Sequence, residues 1–191
     1  MINVAIKYHM KRFITQLIGL TCYLSLPFNA FAQIDTSNIF LESDSPFATY
    51  DDVNKEAQAW GICSSVYLIG SEIFTSTQPA TAKQYKQLSN GAKLAIVMTH
   101  VQDGLTEDID PDRFNSLWTY SQSLMDSIPE TALTMIMAEG ERTPANKKSE
   151  FMDKIANTMA VCQNNLNLQQ AYIDMWRELA KSGLLKLSES K

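Results

Sequence analysis

Cys63, Cys162, His100 and a run of carboxylates from Asp103 to Asp112 are the side chains whose type and spacing could do chemistry. A Ser-His-Asp relay would have to use His100, and no Gly-x-Ser-x-Gly elbow supports it. Placed near the end of a helix, His100 is expected to be partly exposed and to ease the C-terminal dipole. Cys63, Cys162, His100 and one carboxylate would make four zinc ligands, but the short spacing within ligand pairs is missing. The chain has no Cys-x-x-Cys, so neither a thiol oxidoreductase nor a covalent haem is expected.

The acidic run Asp103, Glu107, Asp108, Asp110 and Asp112 offers the oxygen ligands calcium prefers. It fails the calcium-loop template: counted from Asp108, the required glycine falls on Arg113 and the closing glutamate on Thr119. A solvated loop whose acids favour the next helix N-terminus accounts for the same residues. Met135, Met137, Met152, Met159 and Met175 carry the soft thioethers copper selects, but Met135 and Met137 would point in different directions on a helix. Gap-filling in a core is the expected role of these methionines, and Trp60, Trp118 and Trp176 are expected as core anchors. Glu56, Glu72 and Glu139 are the carboxylates that could turn inward for acid–base work. No catalytic residue, metal or cofactor is assigned from these patterns.

The elements that must position such groups follow a leader. Residues 1–32 hold Lys7, Lys11 and Arg12 without an acid, then an apolar run from Phe13 to Phe28, then Ala30-Phe31-Ala32. That order is a secretory signal peptide, with cleavage expected between Ala32 and Gln33 and a mature chain beginning at Gln33. Translation starting at Met10 rather than Met1 would give the same design with a more compact positive end. The run is shorter than the ~20 residues of a membrane span, and no later segment is apolar enough to be one.

Beyond residue 32 the chain keeps all 21 acids but only thirteen of the 16 basic residues, a formal charge of −8. Such a surface repels nucleic acid and anionic lipid. Cys22 falls in the leader, which leaves Cys63 and Cys162 to pair in an oxidising compartment. No Asn-x-Ser/Thr sequon occurs, which favours a bacterial periplasm.

Residues 33–49 lack a sustained period and read as an extended N-terminal arm that can pack through Ile39, Phe40 and Phe47. From residue 50 onward the period is helical. A first helix over 51–74 carries two apolar rows, through Val53, Ala57, Trp60, Cys63 and Tyr67 and through Ile62, Val66, Ile69 and Ile73, which places it at the bundle centre. Ser76 or Thr77 is expected to cap a second helix reaching Gln102, with Asn90-Gly91 as an interruption. Asp110-Pro111 starts a third. Ser127-Ile128-Pro129-Glu130 fits a capping box that opens a fourth helix or a kinked continuation burying Leu133, Ile136 and Met137. Thr143-Pro144 opens a last long helix through Cys162 and Tyr172, stopped at Gly183.

The expected fold is therefore all-α: an antiparallel bundle of four or five helices over 50–191, closed by a Cys63–Cys162 disulfide. The leading expectation for function is an exported, periplasmic binding or accessory protein that is not an enzyme and acts on another exported or envelope protein. The alternatives are a bundle that carries a small molecule or metal ion between its helices, and a carboxylate-based hydrolase.

Overall fold

The computed structural model describes residues 38–41, 46–105 and 110–185. The leader, the Ala32–Gln33 cleavage site and part of the acidic run lie outside them. Among the described residues there are five α-helices and no strand, so the chain is all-α. The helices are α1 (Val53–Phe74), α2 (Pro79–Gly104), α3 (Pro111–Arg142), α4 (Lys148–Asn164) and α5 (Leu166–Lys181). No described helix is long and apolar enough to cross a membrane.

Helix α1 starts where the Asp52 carboxylate accepts the Asn54 amide at 2.8 Å, satisfying one of the orphan donors of the first turn. Its two apolar rows have the expected consequence: from Trp60 to Tyr67 every residue is buried, and α2, α3 and α4 all pack against it. Val53 and Ile69 are partly buried, and Ile73, near its end, stands half exposed. A tight turn leads into α2, with Pro79 in its first turn. Gln78, rather than Ser76 or Thr77, occupies the cap position and makes no side-chain bond there.

Asn90-Gly91 does not interrupt α2, which runs on to Gly104. The glycine lets α5 approach closely: a Cβ on Gly91 would stand 2.1 Å from Nε2 of Gln169, which would have to turn aside. Helix α3 begins as expected at Asp110, which accepts the Asp112 and Arg113 amides at 3.0 and 2.9 Å.

No new helix starts at Ser127. Its hydroxyl bonds back to the Ser123 carbonyl at 3.1 Å, and α3 continues through Pro129 to Arg142. Two features of α1 hold this proline in place. Gly61 admits Ile128 so closely that a Cβ would meet its Cγ2 at 2.4 Å, and the Ser65 hydroxyl donates to the Pro129 carbonyl at 2.8 Å.

The last long helix is in fact two. At Asn165 the backbone leaves helical geometry, and the Asn165 side chain accepts the Phe47 amide at 2.9 Å while donating to the Val161 carbonyl at 3.0 Å. The N-terminal arm supplies that amide from a short 3-10 turn, Phe47–Thr49. Phe47 is fully buried, edge-on to Trp60 at 4.8 Å, and Phe40 packs on Phe151 at 6.0 Å. Leu41 N–H donates to Thr158 Oγ1 at 3.2 Å, so the arm is docked at several points. After α5, Gly183 takes a φ of +78°, the left-handed stop that glycine allows.

The disulfide joins Cys63 of α1 to Cys162 of α4, with Cα atoms 5.5 Å apart and both residues fully buried. It ties the central helix to the last layer of the bundle, as the stripes of both helices require.

Candidate functional site

Glu56 sits in the first turn of α1 and is 8 % exposed, although it carries a carboxylate. One turn on, Trp60 donates its indole N–H to Glu56 Oε1 at 3.2 Å, the i,i+4 reach of a helix. Helix α5 brings Tyr172, whose hydroxyl donates to the same oxygen at 2.7 Å. Both donors converge on Oε1, and among the described residues no hydrogen bond uses Oε2. The two aromatic rings support each other edge to face at 6.3 Å.

Above this trio lies a cleft of about 350 Å³ between the arm, α1, α2 and α5. Tyr50, Asp51, Glu56, Thr99, Asp103 and Tyr172 give it its polar character, Val53 and Leu168 its apolar part. Burial pushes the Tyr172 hydroxyl pKa well above its ordinary value; Thr99 opposes this, and the bond to Glu56 and its charge add to it. Burial and then the Glu56 charge raise Tyr50 as well. Both phenols therefore remain hydrogen-bond donors over the whole physiological range.

Four buried polar atoms lack a hydrogen-bond partner among the described residues: Tyr67 Oη, Thr99 Oγ1, His100 Nε2 and Gln169 Oε1. Of these residues, Thr99 alone lines the cleft, at 4 % exposure. Its hydroxyl lies near enough to Tyr172 to pull that phenol's pKa down against burial.

The other candidates are dispersed. Glu72 is exposed, and Glu139 pairs with Arg142 at 3.1 Å, so neither joins Glu56. His100 is buried at 6 % exposure rather than partly exposed, with its ring edge-on to Tyr120 at 5.9 Å. Cys63 and Cys162 are consumed by the disulfide and are not metal ligands. Asp110 serves as the α3 cap, while Glu107 and Asp108 fall outside the described residues. Among the described residues no three His, Cys, Asp or Glu side chains cluster closely enough to hold a metal ion. Met137 and Met152 are about half exposed, at 52 % and 45 %, not gap-fillers; Met135, Met159 and Met175 are partly buried. Trp60 is a fully buried anchor, and Trp118 and Trp176 pack partly buried on the core.

His100 makes stability depend on acidity. Burial lowers its pKa, against a smaller upward pull from Asp103. The folded state thus prefers the neutral ring. Its contribution is complete above the unfolded value of about 6.5 and is lost as pH falls from there toward the lowered folded value. His100→Asn is expected to remove that slope, as read from urea midpoints at about pH 7.5 and about pH 5. Equal acid losses in both proteins would place the sensitivity elsewhere.

The pairing of Glu56 with Trp60 was legible as an i,i+4 contact, but Tyr172 and Thr99 carry no signal that links them to it in the sequence. Compared with protein-family models, with curated proteins and with solved structures, the chain shows no match.

Proposed function

We propose that this chain is an exported binding protein that holds a small polar ligand in the cleft over Glu56. The observation that carries the reading is a carboxylate at 8 % exposure, positioned by two donors, at the floor of a cleft of about 350 Å³. That volume is at the small end of ordinary ligand sites. The N-terminal pattern of charge, apolar run and Ala-x-Ala supports export, and the buried disulfide suits an oxidising compartment such as the periplasm.

A second reading, an accessory protein docking on another envelope protein, draws support from Ile73, Met137 and Met152, large apolar side chains about half exposed. Native mass spectrometry of the protein purified from its exported fraction separates the two. A small non-covalent mass that disappears on denaturation, and is missing from Glu56→Gln, is the expected result. A co-purifying polypeptide with no small adduct would favour the accessory reading instead.

A further inference from the structure

Resting on that reading, we propose that the ligand is a small organic cation, a protonated aliphatic amine, whose charge is held by Glu56 and whose carbon chain lies along the rest of the cleft. Among the described residues three carboxylates line the cleft, Asp51, Glu56 and Asp103, and no lysine or arginine does. Asp51 and Asp103 are exposed and already solvated, so they set the sign of the field rather than the contact. Glu56 is different, because none of the described ion pairs includes it. Burying a carboxylate without a counter-charge is unfavourable, and a cation entering the cleft would supply that charge.

A second observation points to the same occupant. Thr99 lines this cleft, its buried Oγ1 has no hydrogen-bond partner among the described residues, and a hydroxyl oxygen can accept an N–H. An ammonium group has three donors, enough for Glu56 Oε2, Thr99 Oγ1 and one more acceptor. The Tyr50 ring borders the cleft beside them, and a ring face attracts a cation. Val53 and Leu168 offer apolar surface for methylene groups.

The alternatives fit less well. An anion would meet three like charges. A neutral ligand would leave Glu56 uncompensated. A hard metal ion wants six or more oxygen ligands, whereas one buried carboxylate and a hydroxyl are what the cleft floor presents.

The test uses the full exported chain and four probes of similar length: n-butylamine, 1,4-diaminobutane, 1-butanol and butyrate, with calcium chloride as a fifth. Isothermal titration calorimetry at low ionic strength is expected to show saturable binding of an amine, at least tenfold tighter than 1-butanol, and none of butyrate. Glu56→Gln keeps an acceptor for Trp60 and Tyr172 and is expected to weaken amine binding at least tenfold, with unchanged circular dichroism. Should that variant fail to fold, Asp51→Asn/Asp103→Asn, at exposed positions, is expected to weaken the amine several-fold and to flatten its salt dependence.

Equal affinity for 1-butanol and butylamine, amine binding unaffected by these variants, or binding of calcium alone would overturn the assignment. Binding of 1-butanol or butyrate that Glu56→Gln abolishes would overturn the cation while leaving a ligand-binding cleft. If no probe binds and no small adduct is seen in native mass spectrometry, both readings fail.

Discussion

Reducing the Cys63–Cys162 bridge is expected to lower the unfolding free energy by about 4 to 5 kcal/mol. The residues are 99 apart in sequence, and in the chain-entropy account a loop of that length most restricts the unfolded ensemble. Both sulfurs are fully buried between α1 and α4, so the reduced thiols remain in an apolar setting and the folded state changes little. Small domains have only about 5 to 15 kcal/mol in total, so the reduced protein should sit close to its folding margin. Urea titrations with and without reductant check this, with Cys63→Ala/Cys162→Ala as a control that reductant cannot affect. A loss below about 1 kcal/mol would mean that the reduced, unfolded chain already keeps α1 and α4 together.

Truncating Trp60 should be nearly as severe. Its side chain is fully buried, meets Phe47 and Tyr172 edge to face, and donates to Glu56. Trp60→Ala leaves a large cavity at the junction of arm, α1 and α5, for which about 3 to 5 kcal/mol is expected. Trp60→Phe separates packing from bonding. It keeps most of the ring but removes the N–H, and a loss of about 1 to 3 kcal/mol is expected for a bond to a carboxylate. Chemical denaturation measures both. If Trp60→Phe matches Trp60→Ala, the hydrogen bond rather than the filled volume carries the effect.

These expectations show where the sequence was readable. The apolar stripes through Cys63 and Cys162 were local signals, and they placed both cysteines on facing helices with the geometry a bridge needs. Proline at the first helical turn likewise located the starts of α2 and α3. Misreadings arose where a distant residue decides a local conformation. The Ser127 capping box is a valid local pattern, but Gly61 and Ser65 of α1 keep the chain helical through Pro129. The break at Asn165 depends on an amide 118 residues earlier, which no window of sequence contains. The candidate site fails to announce itself for the same reason. Glu56 stood among three candidate carboxylates, and its distinction comes from Tyr172, 116 residues on.

The arm's attachment has a consequence for how the molecule comes into being. Phe47 bonds to Asn165, Leu41 to Thr158 and Tyr172 to Glu56, so three separate contacts join the earliest described residues to the latest helices. Each spans more than a hundred residues, whereas the helices themselves form from neighbours. A chain stopped short of α5 lacks Tyr172 and Leu168, and with them one donor to Glu56 and one wall of the cleft. Closure that waits on the last helices is compatible with the export proposed above, in which the chain passes a narrow channel before it folds.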